Sequence, residues 1–385
     1  MRQREDLVFS MAEYTRRLAS LRRSMARRDL DAMIVTIPEN LCYLTGYQTP
    51  GYYWFQALVV PLEGSPFFVT RRLEDSNVQV RTWVSLSFPY DDFEQPPLEL
   101  ARRIQEQELG SGRIGYERHS YFFRASEQDI CFANLPDAEP VDAYGIIEEL
   151  RLVKSEEEIE VMRQAARTTE AGMQAGIDAI SAGATENDVA AEIQWAMTKA
   201  GSEYPAIAPF IASGWRGSIG HATWEGRRIE PNEAVFLEVG GCVARYHTAM
   251  MRTVFVGDAP DAVRRAEAVV RDAMRATMEA IKPGVPAQEV DRIARAVIRD
   301  GAPDSTQASR TGYSIGIAFA PDWGEGHILS LLEGQEQLLE ENMTFHLIPW
   351  VQVPGMAGVG ISETVRVTAD GCESFFDFPG QVFVK

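Results

Sequence analysis

The sequence predicts an α/β (α+β) protein of two domains, and three observations support this prediction. Helical and strand-like patterns alternate over residues 12–150. A long amphipathic helix with a clear start then follows, and behind it the segments 172–189 and 273–290 align without a gap. We therefore expect an N-terminal α/β domain over residues 1–150 and a larger C-terminal domain over residues 151–385.

The elements of the first domain follow from their apolar spacing. The segment MAEYTRRLASLRRSMARRDL is typical of an amphipathic helix, and DAMIVTI is typical of a short buried strand. QALVVPL and SPFFVT indicate two more strands, with Glu63-Gly64 as the hairpin turn between them. This alternation predicts a layered α/β domain.

The second domain begins with a capped helix and contains an internal repeat. Ser155 and Glu158 form a capping box, so the helix starts directly after Ser155. Each of the two aligned segments reads as a helix, a glycine turn, a threonine or proline helix start, and an acidic residue followed by valine. Two such copies, each followed by strands, predict a pseudo-twofold α/β sandwich with a curved antiparallel sheet.

The composition excludes several classes of protein. The chain has 37 basic and 56 acidic side chains, and its net charge of −19 would repel a phosphate backbone, so we expect no nucleic-acid partner. It lacks a signal-peptide core and a run of about 18 apolar residues. We therefore expect a soluble, cytoplasmic protein without membrane contact. The four cysteines are far apart, which argues against a zinc cluster and a disulfide framework: Cys42, Cys131, Cys242 and Cys372.

Several motifs of the second domain carry a resemblance to a known superfamily. They are YPAIAPFIASG, GHATW, FLEVGGCVARYH, RTVFVG, GYSIGIAFAPDWGE, ENMTFHLIP and GISETVRVT. With these motifs the whole chain resembles the pita-bread superfamily of methionine aminopeptidase, prolidase, aminopeptidase P and creatinase, and in particular the creatinase-like ectoine hydrolases. The resemblance implies a smaller creatinase-type α/β domain followed by a C-terminal pita-bread domain with the pseudo-twofold repeat.

The resemblance also implies that the metal site of the metallopeptidases is absent. In those enzymes five side chains bind two metal ions: two aspartates, one histidine and two glutamates. The corresponding positions of this sequence are Glu238, Ala249, Tyr313, Ile348 and Ser362. Only Glu238 keeps a carboxylate, whereas divalent ions need several ligands. We therefore expect no metal and no other cofactor.

Creatinase, which cleaves a small C–N bond without metal, implies a catalytic set for this chain. Its proton-shuttling histidine matches His221 in GHATW, and imidazole suits that task near neutral pH. Glu238 is expected to act as base or nucleophile, or to pair with a cationic amidinium. Of Tyr246 and His247, which alternate along a strand, we expect His247 to face the side of Glu238. Tyr313 can donate a hydrogen bond where a metal ion once polarised the substrate.

Further residues are expected to bind the substrate. The acid–aromatic–acid pattern of Asp322, Trp323 and Glu325 suits a small cation. The remaining candidates are Trp224 in GHATW, His346 in MTFHLIP, Glu363 beside the lost ligand position, and Trp54 in the aromatic run YYWF. Strand alternation predicts that Glu363 faces away from that ligand position. In the resembling family the region of Trp54 closes the site of the partner subunit, which implies a homodimer with a shared aromatic lid.

These expectations favour a metal-independent hydrolase that opens a cyclic amidine, as ectoine hydrolases do. Met251 and Trp54 replace a glutamate and an arginine of creatinase, which disfavours creatine as substrate. Val243-Ala244 and Gly360 depart from the ectoine-hydrolase pattern, so the substrate within this class stays open. The alternatives are a creatinase-type enzyme for another guanidino or amide compound, and an inactive homologue that only binds. The ligand losses argue against an active Xaa-Pro metallopeptidase.

Overall fold

A computed structural model describes residues 2–305 and 310–385 and confirms the mixed α/β class. The chain divides into two compact units, Met1–Arg151 and Leu152–Lys385. This division lies one residue after the boundary that the sequence predicts. Among the described residues, none of the helices is both long enough and apolar enough to cross a membrane.

The first unit is a mixed sheet with helices. Its helices are α1 (Met11–Arg27), α2 (Pro38–Thr45), α3 (Asp75–Arg81), α4 (Pro96–Glu106), α5 (Ala125–Ala133) and α6 (Ile146–Leu152). Its strands are β1 (Ala32–Val35), β2 (Gln56–Pro61), β3 (Phe67–Arg71), β4 (Leu86–Tyr90), β5 (Ser111–Tyr116) and β6 (Asp137–Asp142). The strand order is β4-β3-β2-β1-β5-β6, with β2 antiparallel to both of its neighbours. Strands β1 and β2 are buried throughout, as their continuous apolar runs predict.

The second unit contains two helix pairs and a set of antiparallel strands. Its helices are α7 (Glu156–Ala179), α8 (Glu186–Lys199), α9 (Asp261–Ala280) and α10 (Ala287–Gly301). Its strands are β7 (Phe210–Ser213), β8 (Glu233–Val243), β9 (Tyr246–Val256), β10 (Gly312–Ser314), β11 (Ser330–Leu331), β12 (Thr344–Leu347), β13 (Trp350–Val353), β14 (Ala357–Gly360), β15 (Glu363–Val367), β16 (Cys372–Ser374) and β17 (Phe383–Val384). Helix α7 starts with the predicted capping box of Ser155 and Glu158.

The internal repeat of the sequence recurs in the structure as two equivalent helix pairs, α7–α8 and α9–α10. Each pair turns at a glycine with left-handed backbone, Gly183 with φ 93° and Gly284 with φ 84°. The same backbone hydrogen bond anchors both turns: Gly183 N–H donates to Ile229 O and Gly284 N–H to Leu339 O, each at 2.9 Å. A residue with a Cβ would be strained at either position, which explains why both copies keep glycine.

The strands form two larger sheets and a separate β13–β14 pair. The first sheet has the order β17-β9-β8-β7 and the second β11-β10-β12-β15-β16. Strands β8 and β9 pair along their whole length around a two-residue turn at Ala244 and Arg245, both with positive φ. The sheets meet where β9 lies beside β15: Ser362 N–H donates to Met251 O at 3.0 Å, and Met251 N–H donates to Ser362 Oγ at 2.6 Å.

Candidate active site

A cavity of about 680 Å³ opens in the second unit, at the face of β7, β8 and β9 and beside β10 and β13. Its size is that of a small-molecule site. The titratable side chains that line it are His221, Glu238, Arg310, Tyr313 and Asp322. Its aromatic lining consists of Phe210, Phe236, Trp323 and Trp350. The structure thus brings together five of the residues predicted from the sequence: His221, Glu238, Tyr313, Asp322 and Trp323.

Glu238 lies in the middle of β8, flanked by Phe210 on β7 and Met251 on β9. Its carboxyl group makes no hydrogen bond or ion pair with any of the residues that the structure describes. Burial, together with the negative charge of Asp322, raises the pKa of this carboxyl to about 7. A carboxylate with that pKa can both accept and release a proton near neutral pH.

Tyr313 is held by two buried neighbours. Trp323 Nε1 donates to its hydroxyl oxygen at 2.9 Å, and His346 Nδ1 lies 2.8 Å from the same oxygen. Burial, reinforced by the charge of Glu238, raises the pKa of the Tyr313 hydroxyl further above its ordinary value. The hydroxyl therefore keeps its proton and can donate a hydrogen bond into the cavity.

His221 lies at the open side of the cavity in a left-handed backbone conformation with φ 60°. For a residue with a Cβ this conformation is uncommon and is found preferentially at functional positions. The imidazole stacks on the ring of Phe210, with centroids 5.4 Å apart and an interplanar angle of 22°. Phe210 in turn pairs with Glu238 in the sheet, so it lies between the imidazole of His221 and the strand that carries the carboxylate.

The five positions that bind metal ions in the resembling metallopeptidases do not fit a metal centre here. Ala249 and Ile348 have no ligand atom in their side chains. The Ser362 hydroxyl is already hydrogen-bonded to Met251 N–H and to His346. Across residues 2–305 and 310–385, no group of three or more His, Cys, Asp or Glu side chains could hold a metal ion.

Arg310 is a cavity residue that the sequence analysis missed. Its guanidinium carbon lies 4.2 Å from the centroid of the Tyr313 ring, and its Nη1 donates to Ser330 Oγ at 3.3 Å. In the described part of the chain it has no acidic partner. The residue precedes β10 outside any strand, so neither periodicity nor a motif marks it. The only hint in the sequence that Arg310 lies at the site is its position three residues before Tyr313.

The expectation of a catalytic His247 must be corrected. Alternation places it on the face of Glu238, as expected, but it pairs with Cys242 at the hairpin end of the ladder and does not line the cavity. Ala206 N–H donates to its Nε2 at 3.0 Å, so Nδ1 carries the proton and donates to Arg245 O at 3.0 Å. Burial and the charge of Arg245 lower its pKa to about 3. His247 is a neutral structural residue that fastens the loop before β7.

Two predicted substrate-binding carboxylates are also corrected, because both belong to buried ion pairs. Glu325 Oε2 lies 2.7 Å from Lys154 Nζ, and both side chains are almost completely buried. Glu363 accepts a hydrogen bond from Arg252 Nη2 at 2.6 Å and lines a different cavity, on the other side of β15. Strand alternation had predicted this orientation of Glu363.

The remaining predicted substrate-binding residues lie outside the lining of this cavity. Trp224 is partly buried against the core formed by α7, α8 and the β8–β9 sheet. His346 is fully buried behind Tyr313 and reaches the cavity only through it. Trp54 belongs to the first unit, where it is 41% exposed and stacks under the guanidinium of Arg71 at 4.3 Å.

Met251 and Gly360, two departures from the family patterns, lie against each other. A Cβ on Gly360 would lie 2.4 Å from Met251 Sδ, so the methionine side chain occupies the space that a residue at position 360 would need. Met251 lines the cavity beside Glu238. The thioether of Met251 therefore forms the wall of the cavity beside Glu238.

Comparisons with known proteins agree with this fold. Residues 160–369 match the sequence profile of metallopeptidase family M24, and residues 17–153 match the creatinase/prolidase N-terminal domain. An ectoine hydrolase from Halomonas elongata is 33% identical over 99% of both chains. A Xaa-Pro dipeptidase from Lactobacillus helveticus is 28% identical over 90% of this chain and 92% of its own.

Solved structures show the same fold. A prolidase from Thermococcus sibiricus superposes with a TM-score of 0.86 over 98% of this chain and 100% of its own, at 22% identity. A Xaa-Pro dipeptidase from Bacillus anthracis gives a TM-score of 0.84 over 97% and 100%, at 23% identity. By profile, by relatives along its whole length and by fold, this chain belongs to the metallopeptidase family M24, with a creatinase/prolidase N-terminal domain.

Proposed function

We propose that this protein is a metal-independent hydrolase that opens a small cyclic amidine, with ectoine or a close analogue as substrate. The observation that carries the proposal is the Glu238 carboxyl, which lines the cavity, has no partner among the described residues and has a pKa raised to about 7. The lost metal-ligand positions argue against the chemistry of the peptidase relatives. The similarity to the Halomonas elongata ectoine hydrolase supports a cyclic amidine as the substrate class.

The cavity supplies a group for each step of amidine hydrolysis. Glu238 pairs with the amidinium and takes a proton from the attacking water, whose oxygen forms a bond with the amidine carbon. His221 then carries this proton from Glu238 to the ring nitrogen, and the bond between that nitrogen and the carbon breaks as the nitrogen leaves as an amine. The Tyr313 hydroxyl stabilises the tetrahedral intermediate by a hydrogen bond. The product is an open-chain amide with a free amine, and it contains all the atoms of the substrate and of the water.

The charges of the cavity favour a zwitterionic substrate. Glu238 and Asp322 both line the cavity, and the charge of Asp322 adds to the effect of burial in raising the pKa of Glu238. Arg310, which has no acidic partner in the described residues, adds a cation to the same lining. A compact molecule with an amidinium and a carboxylate would complement both, because guanidinium groups bind carboxylates strongly.

The test is hydrolysis by metal-depleted protein. Chelator-treated, metal-analysed protein is incubated in parallel with ectoine, hydroxyectoine, creatine and a proline dipeptide, and each reaction is followed by proton NMR. We expect ring opening of an ectoine without added metal and its loss in Glu238→Gln. Glu192→Gln, an exposed glutamate on α8, serves as the control and should keep full activity.

Two results would overturn the proposal. Cleavage of the dipeptide only after addition of manganese or zinc would show metallopeptidase chemistry. If all four compounds stay intact both with and without added metal, the protein either only binds a ligand or hydrolyses a different class of substrate.

We further propose that the protein acts as a homodimer in which aromatic residues of the N-terminal domain cover the partner's cavity. Exposed apolar side chains of the first unit support such a contact, since Tyr53, which lies beside Trp54, is 66% exposed and Leu73 is 67% exposed. Light scattering should give twice the chain mass. Trp54→Ala should raise KM without changing the mass of the assembly, whereas a monomeric active enzyme would contradict the proposal.

A further inference from the structure

Behind the cavity, three buried side chains form a continuous hydrogen-bonded chain: Tyr313, His346 and Ser362. Tyr313 Oη lies 2.8 Å from His346 Nδ1, and His346 Nε2 lies 2.7 Å from Ser362 Oγ. His346 and Ser362 are fully buried. Tyr313 and Ser362 occupy two of the former metal-ligand positions, so polar side chains fill the place where the resembling enzymes hold metal ions.

The direction of these hydrogen bonds follows from counting donors at Ser362. Its oxygen already accepts the N–H of Met251 at 2.6 Å. Among the described residues, the remaining acceptor within reach of its own hydroxyl proton is His346 Nε2. If Nε2 carried a proton instead, the buried Ser362 hydroxyl would have no acceptor, a condition that folded proteins rarely tolerate. Ser362 therefore donates to Nε2, and His346 carries its proton on Nδ1.

The tautomer of His346 also determines the hydrogen bonds of Tyr313. With Nδ1 protonated, His346 donates to Tyr313 Oη, which also accepts from Trp323 Nε1 at 2.9 Å. Two donors then occupy both lone pairs of the phenolic oxygen. The hydroxyl proton has to point away from both of them, into the cavity that Tyr313 shares with Glu238.

We propose that Ser362 and His346 are positioning residues that fix Tyr313 as a hydrogen-bond donor toward the substrate. The orientation of the hydroxyl is independent of the substrate's identity; the acceptor, a substrate atom that gains electron density during ring opening, rests on the proposed function. The chain thus supplies a preorganised neutral donor at a former metal position.

The surroundings keep this arrangement in one protonation state. Burial, together with the charges of Arg310 and Arg252, lowers the pKa of His346 to about 3, so the ring stays neutral over the working pH range. A neutral ring has one donor and one acceptor nitrogen, which is the condition for a chain with a fixed direction.

The first test is the tautomer of His346, measured by nitrogen-15 NMR of histidine-labelled protein. The chain has five histidines, so the His346 signals can be assigned by comparison with His346→Gln. We expect a pyrrole-type Nδ1 and a pyridine-type Nε2 between pH 6 and 8. A pyrrole-type Nε2, or a doubly protonated ring, would overturn the proposal.

The second test uses Ser362→Ala, which removes the donor that selects the tautomer. We expect the Nε2-protonated form to become populated and kcat to fall about 10-fold or more, while KM changes much less. Ser362→Thr keeps the hydroxyl and should restore both the tautomer and kcat. Thr364→Val, two residues along β15, removes a buried hydroxyl that bonds Ala249 instead and should leave the tautomer unchanged.

The outcomes separate this proposal from the proposed function. A Ser362→Ala protein with the wild-type tautomer and kcat would refute the positioning role. If that variant does not fold, the tautomer of the wild-type protein decides alone. If the wild-type protein hydrolyses none of the substrates but shows the Nδ1 tautomer, the proposed function fails and the hydrogen-bond chain stands.

Discussion

Replacing Glu238 by glutamine should stabilise the protein while it removes the activity. Burial and Asp322 raise the pKa of this carboxyl from 4.5 to about 7, which means that ionising it costs free energy in the folded chain. Each pKa unit corresponds to about 1.36 kcal/mol, so the full penalty is about 3 kcal/mol in order of magnitude. Glutamine has nearly the same shape and no such penalty.

The pH dependence of this effect has a definite sign. Between pH 4.5 and pH 7 the folded protein binds more protons at this site than the unfolded chain, so the wild-type protein loses stability as the pH rises. Below this range Glu238 is protonated in both states and the penalty disappears. The free energies of unfolding of wild type and Glu238→Gln should therefore agree below about pH 4, with the variant the more stable by about 3 kcal/mol above about pH 8.

Urea unfolding at several pH values measures this difference directly. Because every other titrating group is common to both proteins, the difference between them isolates Glu238. Glu192→Gln, exposed on α8, should follow the wild-type curve at every pH. A constant difference between wild type and Glu238→Gln from pH 4.5 to pH 8.5 would refute the assignment of a raised pKa to this carboxyl.

Three further substitutions test the rest of the site. His247→Ala should lower the free energy of unfolding by about 2–4 kcal/mol, because it deletes two buried hydrogen bonds. It should leave kcat unchanged. A large loss of kcat in folded protein would instead show that His247 is catalytic. Arg310→Gln should raise KM for a carboxylate substrate by about 10- to 100-fold, but it should hardly change KM for the corresponding carboxamide. Equal effects on both substrates would contradict a contact between Arg310 and the carboxylate. Gly240→Ala should lower kcat by about 10-fold or more, because its Cβ would lie 2.7 Å from the indole of Trp323, which holds Tyr313. Tryptophan fluorescence should change in the same variant, and unchanged fluorescence and kcat would contradict this packing.

The fold was predictable because its signals are local. The capping box at Ser155 and Glu158 marks the start of α7 within four residues of sequence. Gly183 and Gly284 mark the two equivalent turns, since both need a left-handed backbone. Such features depend on short stretches of chain, and the sequence contains them completely.

Part of the site was not predictable because its decisive contacts are distant in the sequence. Glu325 carries a carboxylate that could bind a cation, yet it forms an ion pair with Lys154, 171 residues earlier in the chain. His247 lies on the predicted face of β9, but its Nε2 accepts a hydrogen bond from the backbone N–H of Ala206, 41 residues away. Arg310 belongs to no periodic pattern, and only the folded chain shows that it lines the cavity.

The hydrogen-bond chain behind Tyr313 has a consequence for any attempt to build a metal centre into this cavity. In Ser362→Glu, a carboxylate would have to enter the fully buried space beside His346 and Met251. In Ala249→Asp, it would enter the buried region where Ala249 is bonded to Thr364. Each substitution alone would bury an unpaired charge at a cost of about several kcal/mol, and one carboxylate added to Glu238 is too few ligands for a metal ion. Installing a metal centre in this chain one ligand at a time would therefore pass through destabilised variants that bind no metal ion.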